Sequence, residues 1–258
     1  MEKLTIIKAG GKIAEDDAAV QELAFRISNI PHHKILVHGG GQYASAVSEK
    51  LGIPAKMNEG RRITCKDTLA VVTMVYAGIM NKTIVATLQK HGCNALGLTG
   101  ADLDIITAVK RPVKEIDYGF AGDIVSINIP VFEMLFRKGI TPVIAPLTHD
   151  RNGQLLNTNA DTIPAEIAAA LCSRYEVSLF YVFEKQGVLS NPEDENTVIK
   201  KLTPEIYPAY KNRGIINRGM IPKLDNGFEA LKKGVNAVSI GSVEALHNPG
   251  CPKTVLSL

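Results

Sequence analysis

Short apolar strand patterns alternate with helical patterns from end to end of the chain, and no other feature restricts its fold so tightly. The strand patterns are "LTIIKA" (4–9), "KILVH" (34–38), "NALGL" (94–98), "ITPVIAPL" (140–147), "VSLFYVF" (177–183) and "NAVSI" (236–240). Between them, Val20, Leu23, Ala24 and Ile27 recur at helical spacing, as do Leu69, Val72, Tyr76 and Ile79 between Lys66 and His91. Further helical patterns cover 42–51, 129–138, 161–175 and 219–233, the last with Met220, Leu224 and Leu231 facing inward. Continuous apolar runs of strand length belong to strands buried on both faces. The alternation therefore predicts an α/β fold, a mostly parallel sheet covered by helices on both sides. Residues 104–128 break the rhythm: "DIITAVKR" and "DIVSIN" flank turn formers and predict a β-hairpin excursion.

At 258 residues and 45% hydrophobic content the chain can bury a substantial core, and no linker separates independent domains. A change of style near residue 175 marks the best lobe boundary. The net charge of +3 is not gathered into a basic stripe, and aromatic residues are sparse, which argues against nucleic acid as a partner. Cys65, Cys93, Cys172 and Cys251 lie far apart without metal-ligand spacing, as expected of free thiols in a reducing compartment. The N-terminus enters a strand pattern directly, and no apolar run looks long enough to span a membrane.

Two strand patterns end in glycine: Gly10 and Gly11 follow the first, and "VHGGGQ" carries Gly39, Gly40 and Gly41 after the second. In parallel sheets ligands gather at the carboxyl ends of strands, and glycine-rich loops entering helices present N–H groups to anions. "GGK" is not a P-loop, since Ile6 and Ile13 stand where that motif needs glycine and a hydroxyl residue. "GGGQYA" fits a dinucleotide fingerprint only formally, because the acid expected downstream would be Glu59, in no strand pattern. Three charged residues lie at element ends: Lys8, Asp161 in "LNTNADT", and Lys223 in "GMIPKLDNG". Two lysines with an aspartate between them suit phosphoryl transfer, which depends on positioning and charge neutralisation. Arg62, Asn157 and Asn159 add a guanidinium fork and amides for a carboxylate or amide substrate. His38 precedes the triple glycine and is suggestive by position alone.

"IIKAGG", "VHGGG", "GRRIT", "LNTNAD" and "RGMIPK", in this order, resemble the amino acid kinase family over the whole chain, most closely its branch acting on acylated glutamate. "GFAGDIVSIN" and "ITPVIAPL" resemble the hairpin and following strand of that branch. The resemblance implies a single domain, a three-layer αβα sandwich. Its N-lobe (1–175) would bind the acyl amino acid and dimerise through the helix near 66–91, and its C-lobe (176–258) would bind MgATP. It implies that Lys8 and Lys223 stabilise the transferring phosphoryl group and that Asp161 organises both. Gly40 and Gly41 would meet the reacting carboxylate, Arg62 the α-carboxylate, and Asn157, with Asn159 beside it, the acylated amide. Gly10 and Gly11 would contact phosphates, with Glu184, Gly187, Gly219 and Met220 in the nucleotide pocket. The implied reaction is ATP-dependent phosphorylation of the γ-carboxylate of an N-acyl-glutamate, with N-acetyl the family default. N-succinyl-glutamate, aminoadipate-type, carbamate or aspartate kinases and a silent nucleotide-binding regulator are the alternatives. Mg²⁺ would arrive with ATP, without a tightly bound cofactor or a protein-held metal, in a cytoplasmic homodimer lacking arginine feedback. The chain departs from the family pattern at Ala101, where a lysine is usual, and at Glu184, where aspartate is usual.

Overall fold

The computed structural model describes residues 1–58, 60–191, 193–216, 219–248 and 250–258, so Glu59 of the rejected fingerprint and Arg218 of "RGMIPK" lie outside it. The chain opens with β1 (Glu2–Ala9), α1 (Gly11–Glu15), α2 (Asp17–Ser28), β2 (His33–His38), α3 (Gly41–Lys50), β3 (Lys56–Asn58) and β4 (Arg61–Ile63). A long helix follows as α4 (Lys66–Val72), a π-helical middle (Thr73–Met80) and α5 (Asn81–Lys90). Then come β5 (Ala95–Leu98), β6 (Ile106–Lys110), β7 (Gly122–Ile127), α6 (Ile129–Arg137), β8 (Thr141–Ile144), β9 (Leu147–His149), β10 (Leu155–Asn157) and α7 (Thr162–Leu171). The last third supplies β11 (Tyr175–Val182), β12 (Lys201–Leu202), α8 (Tyr207–Asn212), α9 (Ile221–Lys232), β13 (Ala237–Gly241) and β14 (Lys253–Leu256).

Among the described residues, eight strands form the main sheet in the order β12-β14-β13-β11-β1-β2-β8-β5. All its pairings are parallel except β13 with β14. The predicted hairpin is present as β6–β7, and it belongs to a second, four-stranded sheet with β9 and β10. "ITPVIAPL" accordingly divides between two sheets, β8 in one and the start of β9 in the other. The strands β3, β4, β9 and β10 and the helix α1 are too short for periodicity to reveal.

Side chains along β1 alternate between two cores. Leu4 and Ile6 join the cluster containing Ile163, Leu171, Leu224 and Phe228 of α7 and α9. Ile7 and Ala9 join the opposite cluster with Leu23, Ile27, Val72 and Leu88. Helix α2 buries the four residues its spacing selects, and Asp16 caps it by accepting from the Ala19 N–H at 2.7 Å. Leu231 of α9 is only partly buried against the core.

The long helix corrects two expectations. Lys66–Lys90 is long and apolar enough, by length and composition, to cross a membrane. Here its apolar face packs into the core through Val71, Val72, Val75, Tyr76, Met80, Ile84 and Leu88. Ile79 does not face inward; it is 52% exposed while Met80 is 5% exposed. The wider π-helical turn is the cause, since it slips the buried face by one residue relative to α-helical spacing.

Ala101 lies in the loop from β5 to β6, where Leu103 and Asp104 adopt positive φ angles of 55° and 52°. Asp104 anchors that loop, accepting from Thr107 Oγ1 (3.0 Å), His149 Nε2 (2.8 Å) and the Arg151 guanidinium (2.6 Å). The Arg151 guanidinium, helped by Thr107 and His149, holds the Asp104 carboxyl down at about 2. A depressed acid stabilises the fold fully above its unfolded value near 3.8 and loses that contribution as pH falls toward 2. Asp104→Asn is therefore expected to lower the urea midpoint at pH 6 and to lose less on acidification to pH 2 than the parent. Parallel midpoints at both pH values would show that the anchor carries no charge-dependent stability.

Candidate active site

Lys8 lies opposite Val37 and Tyr181 in the central strand. Because it shares a face with Leu4 and Ile6, its side chain runs toward α7 and α9. There it meets Asp161 at the N-terminus of α7. The Asp161 carboxylate makes no capping bond to its own helix; the Asp161 N–H donates instead to Asn159 Oδ1 at 2.7 Å. This frees the carboxylate to stand between two ammonium groups, Lys8 Nζ at 2.8 Å from Oδ1 and Lys223 Nζ at 3.1 Å from Oδ2. Lys223, in the first turn of α9, also donates to the Gly219 carbonyl at 3.1 Å. The Tyr181 hydroxyl donates to the Asp161 carbonyl at 3.2 Å, tying the triad back to β11.

All three side chains are at most 13% exposed. Burial favours neutral Asp161, but Lys8 and then Lys223 outweigh it, and the carboxyl stays below its ordinary value. For Lys8, burial lowers the pKa, Asp161 pushes it back up, and Lys223 lowers it again, leaving it below 10.5. The triad thus holds a net positive charge where water has little access, and a multiply charged anion would satisfy it.

The two glycine loops meet beside this triad. The Gly39 N–H donates to the Ala9 carbonyl at 3.1 Å, joining the second loop to the end of β1. A Cβ on Gly11 would lie within 3.8 Å of both the Gly40 and Gly41 nitrogens. Gly40 has φ +151°, and a Cβ there would come within 2.1 Å of Met80 Sδ, so only glycine fits. A cavity of about 230 Å³ opens in front of these backbone groups, lined by Lys8, Gly11, Gly39–Gly41, Arg62, Asn157, Asn159 and Asp161.

Arg62 is 8% exposed, and its Nη2 donates to the Gly41 carbonyl (2.7 Å) and to Ser45 Oγ (2.8 Å). Among the described residues its Nη1 is buried without a hydrogen-bond partner. A buried guanidinium nitrogen with unused protons costs free energy, and a ligand carboxylate would relieve it. Asn157, the last residue of β10, donates from Nδ2 to Thr64 Oγ1 at 3.0 Å. Arg62→Lys is expected to raise KM for the carboxylate substrate by about ten- to a hundredfold, since lysine cannot hold the loop and offer a second arm. KM for nucleotide should stay unchanged; an equal rise in both would remove the assignment.

Several expected residues fall outside this lining, Lys223 although it pairs with Asp161 beside it. Gly10, Lys223, Glu184, Gly187, Gly219 and Met220 do not line the cavity. Glu184 pairs with Lys12 at 2.9 Å, joining the turn after the first glycine loop to the loop after β11. A Cβ on Gly187 would come within 2.7 Å of Thr254 Oγ1, so a side chain there would crowd β14. Met220 is buried in the core at the start of α9. Sequence reasoning missed Tyr76, Arg61, Arg111 and Thr158, which also line the cavity. Arg111 is held by Asp123 and lies 5.3 Å from the Tyr118 ring. The free cysteines and Ala101 lie outside the cavity.

The model of the amino acid kinase family matches residues 3–242. Acetylglutamate kinase of Phocaeicola vulgatus is 53% identical over 95% of this chain and 96% of its own. Among solved structures, smu.665 from Streptococcus mutans UA159 superposes with a TM-score of 0.84 at 25% identity, over 100% of this chain and 99% of that one. Carbamate kinase from Giardia lamblia, bound to AMP-PNP, shares the fold with a TM-score of 0.69 at 14% identity, over 99% of both chains.

Proposed function

The chain belongs to the amino acid kinase family, and on that premise we infer that it transfers the γ-phosphoryl group of ATP to the γ-carboxylate of N-acetyl-L-glutamate. The products are N-acetyl-glutamyl 5-phosphate and ADP, which makes the enzyme a phosphotransferase with a carboxyl acceptor, of use in arginine biosynthesis. The observation that carries this reading is the buried Lys8–Asp161–Lys223 triad set against a glycine-lined cavity.

The chemistry needs no general base. A γ-carboxylate, with a reference pKa of about 4.3, is already ionised at neutral pH. One carboxylate oxygen attacks the γ-phosphorus as the bond from phosphorus to the β,γ-bridging oxygen breaks, and ADP leaves with that electron pair. The barrier is the repulsion between two anions and the charge spreading over the transferring group. Lys8 and Lys223 neutralise that charge from two sides, and Asp161 fixes their separation. The Gly40 and Gly41 N–H groups hold the attacking carboxylate, and Gly10 and Gly11 with the turn into α1 receive phosphate oxygens. The free arm of Arg62 takes the α-carboxylate, and Asn157 and Asn159 read the acylated amide. Mg²⁺ enters as the counter-ion of ATP.

We place the nucleotide in 176–258, near Glu184, Gly187, Gly219 and Met220, and the acyl amino acid in 1–175. We place the enzyme in the cytoplasm as a homodimer joined through the long helix, whose Met74 and Ile79 are 56% and 52% exposed. Hydroxylamine trapping of the acyl phosphate with MgATP tests the reaction. N-acetyl-L-glutamate should give hydroxamate, with N-succinyl-glutamate, aspartate and aminoadipate as parallel arms. Failure of the first arm would overturn the reading.

A further inference from the structure

His38 and Asn81 are both buried, at 0% and 1% exposure, and neither touches the cavity. They lie 43 positions apart, yet Asn81 Nδ2 stands 3.2 Å from His38 Nε2. The donor and acceptor inventory fixes every proton in this contact. Lys82 Nζ, which has no acceptor, donates to Asn81 Oδ1 at 3.1 Å. The Val143 carbonyl, which has no donor, receives Asn81 Nδ2 at 3.0 Å. The amide is therefore oriented from two sides, and its second N–H points at His38 Nε2. That nitrogen must accept, so the proton of the neutral imidazole resides on Nδ1, which donates to the Gly39 carbonyl at 2.8 Å. Burial, with Lys8 and Lys82 adding to it, holds the imidazole neutral by pushing its pKa down to about 4.

The surrounding chain makes room for this relay. A Cβ on Gly97 would lie 1.9 Å from Asn81 Oδ1, so the amide occupies space that only glycine leaves. Asn81 directly follows the π-helical stretch, whose register also sets Met80 and Tyr76 against Gly40. Resting on the kinase reading above, we propose that His38 and Asn81 are positioning residues for the phosphoryl-acceptor loop. By gripping the Gly39 carbonyl, they turn the following Gly40 and Gly41 N–H groups toward the reacting carboxylate. The grip matters because a displacement of about 1 Å in such a site costs on the order of a hundredfold in rate.

Asn81→Asp keeps the shape of the amide and removes both donated protons. It sets an acceptor against Val143 and drives the imidazole to protonate Nε2. We expect kcat to fall about ten- to a hundredfold in Asn81→Asp and in His38→Leu, with KM for ATP unchanged when rates are normalised to nucleotide-binding sites. His38→Asn, which restores a donor near the Nδ1 position, should recover at least part of the loss. The double variant should cost no more than the worse single one. Selective ¹⁵N-histidine NMR of the ligand-free protein should show the Nδ1–H tautomer at His38. An Nε2–H tautomer, additive losses, or parental kcat in both single variants would overturn the proposal. A parent protein without turnover on N-acetyl-L-glutamate would sink the kinase reading and the positioning role with it, while the tautomer would still decide the relay.

Discussion

Lys8→Ala should lower kcat by about a hundred- to a thousandfold while both KM values stay close to those of the parent enzyme. The expectation follows from where the ammonium stands. It is paired to Asp161 at 2.8 Å before any ligand arrives, so its free attraction for ground-state ATP is small. Charge develops on the transferring phosphoryl oxygens only as the bridging bond breaks, and a fixed cation in a dry site is worth most then. Arginine should not rescue the loss. A guanidinium is larger and would have to enter a side-chain position 5% exposed between β1 and α7. Steady-state kinetics with saturating ATP and varied N-acetyl-L-glutamate decide the matter. A rise in KM at unchanged kcat would mean that Lys8 serves binding alone.

The position of Lys8 was legible because it needs only local rules. A strand buried on both faces sends alternate residues to opposite cores, and the lysine two positions beyond Ile6 had to follow Leu4 and Ile6. Asp161 and Lys223 were legible as charges at helix starts, and the triad confirms that they converge although 62 positions separate them. What the capping rules did not reveal is that Asp161 leaves its own helix end uncapped. An aspartate there would ordinarily accept from a first-turn N–H. The two lysines outcompete the helix because a buried carboxylate gains more from charged partners than from one amide.

The rest of the site was hidden for two physical reasons. The long helix reads as one regular amphipathic segment, and no proline interrupts 66–90 to betray its π-helical middle. The one-residue slip turns Ile79 outward and sets Tyr76 and Met80 on the glycine loop and Asn81 on His38. A slip of that kind is chosen by tertiary packing. Arg111 and Thr158 reach the cavity from the four-stranded sheet, whose strands β9 and β10 have three residues each. Such segments carry too few side chains to show a period, and their pairing depends on contacts distant in sequence. Gly187, a phosphate glycine by motif, also has a packing constraint that no local pattern shows, since a Cβ there would meet the Thr254 hydroxyl on β14.

Asp161→Asn should be the most damaging substitution in the protein, because it injures stability and catalysis by one route. The carboxylate separates two buried ammonium groups; without its charge they repel each other at close range in a poorly solvated place. Removing one member of such a buried set costs about 3–5 kcal/mol. The folded protein would relieve the strain by releasing a proton from Lys8, whose pKa burial and Lys223 already hold down. A neutral amine no longer neutralises the phosphoryl group, so kcat should fall at least as far as in Lys8→Ala. The pH dependence gives the sign. In the parent, Asp161 is depressed below 3.8, so its stabilisation is complete above that value and fades as pH drops through the lower folded one. In the variant that acid limb is missing. Without Asp161 to push it back up, the Lys8 pKa falls further below 10.5 than in the parent, so the variant's stability starts to climb at lower pH, because the unfolded chain binds the extra proton. Urea midpoints of parent and variant from pH 4 to pH 9 should therefore converge as pH rises. A constant gap across that range would mean that the loss comes from packing, and an Asp161→Asn enzyme with parental kcat would remove the triad from the mechanism.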